Sequence, residues 1–104
     1  MILTTTNNIE GHKIVDYFGI VTGIEVNRAY KDKKLSFKDS FNIDKFDKIL
    51  EEQIASTKEN AFQKLKNSAI KFGANAIVGI SVDVEVTSSL KVVISVVGTA
   101  VKVV

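Results

Sequence analysis

The chain lacks cysteine, proline and tryptophan altogether, and it has a single histidine, His12, among its 104 residues. Without cysteine, disulfides, thiolate metal sites and cysteine nucleophiles are all excluded. One histidine leaves no room for the H-E-x-x-H motif of metal hydrolases, and the 6 glycines form neither a G-x-G-x-x-G nor a P-loop pattern. These absences predict that the chain is not an enzyme.

An excess of charge of one sign is missing too. The 14 basic and 12 acidic residues leave a net charge of +2, whereas a dedicated nucleic-acid-binding domain is strongly basic. The basic stretch 28–38, with Tyr30 and Phe37 interleaved, is therefore interpreted as a solvated loop rather than a phosphate-binding surface. The first residues lack a signal-peptide pattern, and no run of about 18 apolar residues exists. We expect a cytoplasmic protein with no membrane and no nucleic-acid partner.

Hydrophobic residues are abundant, at 45% of the chain, which is enough for one modest core in a single domain over 1–104. The segments "LTTT" and "HKIVDYFGIVTGIEV" are rich in β-branched and aromatic residues, so they predict short strands or one bent strand. Two long strands follow at the other end of the chain, joined by a tight turn near Ser88–Ser89. In the first of these, the even-numbered positions from Ala76 to Val86 are all apolar, which predicts that they share one face.

Between the two groups of strands, apolar residues recur every three or four positions, as they do in an amphipathic helix. The spacing predicts a helix over 43–72, with a break or bend near 56–57 where a lysine interrupts the stripe. Ser40 or Asn42 is suited to cap its start, and Gly73 falls where a glycine often follows a helix. The order of strands, helix and strands predicts an α+β fold of two layers, with one long helix packed on an antiparallel sheet.

The last strand carries apolar residues on both of its faces. Val92, Ile94 and Val96 alternate there with Val93, Val97, Val101 and Val103. One helix can cover only one face of a small sheet, and exposed apolar area of this extent normally marks an interface. We therefore expect other copies of the chain to cover the second face, in a closed homo-oligomer.

The chain resembles the YbjQ-like family of small bacterial and archaeal proteins. The similarity is carried by "TTTNNIEGHKIVDYFGIVTG", by "GANAIVGI" and by the closing "GTAV", and it extends through the helix at 58–62. All the glycines fall on the family pattern, and the resemblance covers almost the whole chain. Between Ile24 and Leu50 the sequence departs from the family, because it lacks the glycine-rich element that many members have there.

The resemblance implies an α+β fold with a helix on an antiparallel sheet, and assembly into homopentameric rings that sometimes stack. It also brings the family's label as a heavy-metal-binding domain, without an established activity. Two hypotheses follow. The first is an oligomeric binding or scaffold protein whose sheet edges and valine faces form the subunit contacts. The alternative is a metal-binding module that uses carboxylates at subunit boundaries.

The candidate metal ligands are Asp83, Glu85 and His12. The two carboxylates are separated by one residue on one strand face, about 7 Å apart, and they match acidic positions of a family stretch in which Val84 replaces a tyrosine. Such a pair suits a hard cation, although a solvated strand face is the simpler interpretation. Along a strand His12 and Asp16 share a face, but they stand about 13 Å apart, which is too far to bind one ion together. No resident cofactor is expected, and at most a weakly bound divalent metal.

Six further residues are predicted to have structural roles: Gly19, Gly23, Gly73, Asn75, Gly79 and Gly98. A glycine inside a strand usually marks a bulge or a close approach of other backbone. For Gly79 we expect a close approach of the helix or of neighbouring backbone. Asn75 is expected to bond to backbone groups in the turn between helix and strand, since asparagine tolerates such geometry.

Overall fold

A single long helix lies across a four-stranded sheet. The computed structural model describes residues 1–28, 43–88 and 91–104, apart from the side chains of residues 28 and 43–46. Its elements, in chain order, are β1 (Ile2–Leu3), β2 (Ile14–Arg28), α1 (Ile43–Lys71), β3 (Ala76–Val86) and β4 (Lys91–Val103). The predicted two-layer α+β fold is confirmed. The caps proposed at Ser40 and Asn42, Tyr30, Ser89 and most of the basic stretch 28–38 lie outside the described residues.

The sheet has the strand order β1-β3-β4-β2, and the prediction of a purely antiparallel sheet is wrong. The pairs β2–β4 and β3–β4 are antiparallel, but β1 runs parallel to β3, with Ile2 beside Ala76 and Leu3 beside Ile77. The reason is topological. The helix carries the chain back across the sheet before β3 starts, so β3 begins at the same end of the sheet as β1.

The two faces of the sheet differ in what covers them. On β4, Val92, Ile94 and Val96 are fully buried in one cluster with Ala61 and Leu65 of α1, so this is the helix face. The alternate residues of β4 point to the opposite side, which we call the open face. The register of β2 on β4 then assigns residues to the open face as pairs: Ile20 with Thr99, Thr22 with Val97, Ile24 with Ser95, and Val26 with Val93.

The helix is continuous from Ile43 to Lys71, so the predicted break near 56–57 is wrong. Polar side chains occupy the buried stripe there, since Gln53 is 1% exposed and Thr57 is fully buried. The Thr57 hydroxyl donates to the Gln53 carbonyl over 2.6 Å, while the following lysine is exposed. The buried stripe thus runs without interruption at a spacing of four residues: Ile49, Gln53, Thr57, Ala61, Leu65, Ala69.

A bulge in β3 changes which side chains share a face. The register of β3 on β4 shifts between Val78 and Ser81. Before the shift, Ala76 and Val78 lie on the open face. After it, the even-numbered residues from Ile80 onward lie on the helix face, where Ile80 packs in the main core. The prediction that all even positions of this strand share one face is therefore wrong.

The segment before β2 wraps around the outer edge of β3. Leu3 packs into the core on the helix face, whereas Ile9 packs on the open face against a small cluster that includes Val101 and Val103. These two valines are 0% and 6% exposed. The expectation that they need a second copy for cover is wrong, because the N-terminal segment of the same chain covers them.

Gly73 caps the end of the helix, as the sequence predicts. The Gly73 N–H donates to the Ile70 carbonyl over 2.9 Å, and the Ala74 N–H donates to the Ala69 carbonyl over 3.2 Å, which is the Schellman arrangement. In the described part of the chain, no helix is long and apolar enough to cross a membrane.

Candidate functional sites on the sheet

The predicted carboxylate pair lies on the open face near the C-terminal end of β3. Asp83 stands opposite Ser95 and Glu85 opposite Val93, and both carboxylates are exposed. The two residues are about 7 Å apart along the strand. Lys91 is on the same face, two residues before Val93, the partner of Glu85 on β4, so a diagonal contact with Glu85 is within the reach of a lysine side chain.

His12 lies at the other end of the sheet. The backbone N–H of His12 donates to the Ile9 carbonyl, and the next residue, Lys13, exchanges two backbone hydrogen bonds with Val104. Val104 and Ser95, the partner of Asp83, are nine residues apart along β4, which corresponds to roughly 30 Å. Within one chain the structure therefore does not bring His12 together with the carboxylates.

The donor set does not fit a heavy-metal site in a single chain. Among residues 1–28, 43–88 and 91–104, no group of three or more histidine, cysteine or carboxylate side chains is close enough to hold an ion. The chain also has no cysteine, and thiolates are the ligands that thiophilic ions select. Two exposed carboxylates remain, which alone bind hard cations weakly.

Asn75 joins β3 to β4 through its side chain. Its Nδ2 donates to the Val103 carbonyl over 2.9 Å, and its Oδ1 accepts from the Val103 N–H over 2.8 Å. The amide group thus replaces a residue of a strand ladder. The backbone of Asn75 also bonds to both neighbouring strands: its N–H donates to the Val101 carbonyl, and its carbonyl accepts from the Ile2 N–H. The partners lie on neighbouring strands, not in the helix-to-strand turn where they were expected.

Two glycines stand where other atoms come too close for a side chain: Gly23 against the helix and Gly98 against β3. A Cβ at Gly23 would lie 2.1 Å from the Ala61 carbonyl oxygen and 2.8 Å from the Leu65 nitrogen. A Cβ at Gly98 would lie 2.6 Å from Cγ2 of Ile77. The backbone of α1 therefore rests directly on β2 at Gly23, which only a residue without a side chain allows.

For Gly79, the expected close approach of helix or backbone is wrong. A Cβ there would meet only the Asn7 Oδ1, at an ordinary 3.5 Å. Gly79 instead has φ +61° at the β3 bulge, a conformation that side chains with a Cβ rarely adopt. Its N–H donates to the Thr6 carbonyl over 2.8 Å, so the bulge holds the N-terminal segment on the strand edge. Gly19 and Gly73 also have positive φ, +117° and +80°.

The open face carries exposed apolar side chains, of which the sequence pattern indicated Val97 on β4 but not the residues of β2. Ile20 is 76% exposed, Ile24 53%, Val26 46% and Val97 38%. Tyr17, 67% exposed, pairs with Val101 further down the same face. The signal was the alternation of apolar residues along β2 from Ile20 to Val26, but without the fold this face could not be distinguished from the one that packs on the helix.

The outer edge of β2 is covered at one point by the helix. Lys64 Nζ donates to the Ile24 carbonyl over 3.0 Å and forms an ion pair with Glu25 at 2.7 Å. Lysine side chains that engage an edge strand reduce its ability to pair with a further strand. Register shifts at 14–16 and 17–19 also make the pairing of the N-terminal half of β2 with β4 irregular.

Comparison with known proteins gives consistent similarities. A family model described as "Putative heavy-metal-binding" matches residues 1–104. A UPF0145 protein of Clostridium kluyveri is 42% identical over 88 residues, which cover 83% of this chain and 81% of that protein. For a UPF0145 protein of Acetivibrio thermocellus the identity is 39% over 88 residues, with the same shares.

A solved structure resembles the fold over its whole length. The crystal structure of a protein of unknown function from Pediococcus pentosaceus, assigned to the DUF74 family, superposes with a TM-score of 0.68. The two chains are 23% identical, and the match covers 100% of this chain and 98% of that one. At that identity the likeness supports the fold and carries no argument about function.

Proposed function

The chain belongs to the YbjQ-like family of UPF0145 proteins, a family of unknown function, and on that premise we propose that it works as a closed homo-oligomer. In this proposal the chain is a non-catalytic binding or scaffold protein, and any ligand lies at the axis or at a boundary between copies. The pentameric ring is the stoichiometry that the family resemblance implies.

The exposed apolar residues on the open face support the proposal. Ile20, Ile24 and Val26 of β2 stand beside Val97 of β4, and each of the four is more than a third exposed. A stable interface buries about 800 Å² on each partner, which is more than four side chains can supply. The contact would therefore extend to neighbouring open-face residues such as Val93 and Tyr17.

The face is a better interface than the outer edge of β2. Lys64 already satisfies the Ile24 carbonyl, and a further strand would have to displace this bond and the ion pair with Glu25. Packing through side chains of the open face needs no such rearrangement. The earlier hypothesis named both edges and faces as subunit contacts, and the geometry favours the face.

Native mass spectrometry together with light scattering tests the proposal. Five chains of 11.4 kDa would give a particle of about 57 kDa. Ile24→Lys places a charge in the centre of the proposed contact and should shift the protein towards monomers. Asn60→Lys, on an exposed part of α1, is the matched control and should leave the mass unchanged. A wild-type protein that is monomeric at micromolar concentration would refute the proposal.

A cation site shared between copies is the second candidate. It rests on the exposure of Asp83 and Glu85 on the same open face, where carboxylates from adjacent copies could converge. Each chain contributes only this pair at a workable spacing, so a competent site would exist only in the assembly. This candidate depends on the oligomer and fails with it.

A further inference from the structure

The outer edge of β3 is covered over only part of its length. The N-terminal segment is bonded to this edge between Asn75 and Ile80: the N–H groups of Ile2 and Thr4 donate to Asn75 and Ile77, and Thr4 and Thr6 accept from Ile80 and Gly79. Beyond Ile80 the strand continues for six more residues, to Val86. In the described part of the chain, no strand lies beside that stretch.

The backbone of this stretch is oriented for pairing. The Thr87 N–H donates to the Lys91 carbonyl over 2.9 Å. Because inward and outward groups alternate along an antiparallel strand, the odd-numbered residues of this half of β3 bond to β4. The N–H and C=O groups of Val82, Val84 and Val86 therefore point away from β4. They continue the row begun by Ile80, whose N–H is already taken by Thr4.

The two long edges of the sheet are thus unlike each other. Lys64 and two register shifts protect the edge of β2. By contrast, the segment Ser81–Val86 is regularly paired with β4 and contains no lysine, proline or glycine. An unprotected and regular edge is where an extended peptide adds a strand to a sheet.

The side chains along this edge define what such a peptide must look like. On the helix face, Val82, Val84 and Val86 are 40%, 42% and 43% exposed, because α1 lies over β2 and β4 and barely touches β3. The row leads into an open depression of about 240 Å³ between Leu3, Phe62 and Ile80. An added strand would place every second side chain over these valines and one of them in the depression.

The other side of the same edge is acidic. Asp83 and Glu85 alternate with the valines and point to the open face, where both are exposed. On that face a partner strand would set its remaining side chains beside these carboxylates, and opposite charges across a strand pair are favourable. We propose that the Ser81–Val86 edge binds an extended segment of a partner protein in which apolar and basic residues alternate.

Fluorescence anisotropy with labelled peptides tests this proposal. A peptide of alternating valine and lysine should bind the wild-type protein, and the same peptide with glutamate in place of lysine should bind at least about tenfold more weakly. The double variant Asp83→Lys/Glu85→Lys should reverse this preference. Both residues are exposed, so the variant should fold, and circular dichroism checks that it does. Glu59→Lys on exposed α1 is the control and should keep the wild-type preference.

Nuclear magnetic resonance locates the peptide. On binding, the amides of Val82, Val84 and Val86 should become protected from exchange, while those of β2 should not change. The proposal is overturned by equal binding of both peptides, by no binding at millimolar concentration, or by a charge-reversed variant that keeps the wild-type preference. It is also overturned if Val84→Lys lowers the mass of the native assembly, since a second copy would then cover this edge.

Discussion

At the scale of single residues, the contact of helix and sheet depends most on Gly23. The nearest atoms to a Cβ at this position are backbone atoms of Ala61 and Leu65, which move only if α1 moves. Gly23→Ala should therefore destabilise the fold at or above the upper end of the ~1–3 kcal/mol typical of overpacking. Gly98→Ala should cost less, because its two closest contacts are γ carbons of Ile77 and Ile80, and the nearest backbone atom, the Val78 oxygen, is 3.3 Å away. Urea unfolding of both variants measures the difference, and equal effects would contradict it.

Gly79 should respond to substitution for a different reason. Its surroundings are open, but its φ of +61° costs about 1–2 kcal/mol for a residue with a Cβ. Asparagine tolerates this region best among other residues, and β-branched residues tolerate it least. Thermal unfolding should therefore rank the variants Gly79→Asn, Gly79→Ala and Gly79→Val in order of falling stability, with Ser81→Val close to wild type. Equal melting temperatures for Gly79→Val and wild type would show that the bulge adapts.

These glycines illustrate how far residue-level prediction reaches. A glycine in a valine-rich strand is visible in the sequence, and a special role for it follows from its lack of a side chain. Whether that role is a positive φ, as at Gly79, or a contact with backbone, as at Gly23, depends on which element packs against it. That information arises from the pairing of distant segments, so the sequence alone did not separate the two cases.

At the scale of elements, the helix was predicted nearly to its ends, because its apolar residues keep a helical spacing over most of its length. The predicted break near 56–57 is wrong because the buried stripe passes through Gln53 and Thr57 there. Both residues are polar, and a search for apolar residues at helical spacing treats polar residues as exposed. Both can be buried because their polar groups form hydrogen bonds. The Gln53 side chain accepts from the Asn27 side chain on β2, and the Thr57 hydroxyl donates to the Gln53 carbonyl of the helix backbone. The β3 bulge was missed for a related reason, since a strict alternation of side chains contains no sign of the extra residue.

The bond between Asn27 and Gln53 fixes the helix to β2 through polar groups. Removing one partner leaves the other partly buried without its bond, so Gln53→Leu should lower the free energy of unfolding by about 1–2 kcal/mol. Adding Asn27→Val should restore part of the loss, because an apolar pair no longer contains an unsatisfied amide. A double-mutant cycle by urea unfolding measures the coupling. Strict additivity of the two changes would mean that this bond contributes nothing specific.

At the scale of the whole molecule, one chain covers more of its own sheet than its composition suggested. The N-terminal segment covers the part of the open face around Val101 and Val103, so these two residues are not available to another copy. In the described part of the chain, the open face keeps exposed apolar side chains on β2, among them Tyr17 and Ile24, beside Val97 of β4, and the β3 edge keeps its exposed carboxylates. The proposed subunit contact and the proposed peptide-binding edge are therefore compatible with each other, because they use different strands at the edges of the sheet.

The heavy metal that the family description names finds few suitable ligands in this chain. Zinc, cadmium and copper(I) favour sulfur and nitrogen ligands, but this chain has no cysteine and one histidine. His12 is about 30 Å along the sheet from Asp83 and Glu85. Calorimetry with zinc, cadmium and copper should therefore show no submicromolar binding to the native protein. Calcium or manganese should bind weakly at most, and Ile24→Lys should abolish that binding if the site needs several copies. A tight stoichiometric signal that disappears in His12→Ala would contradict the prediction and place a heavy-metal site at the N-terminal end of the sheet.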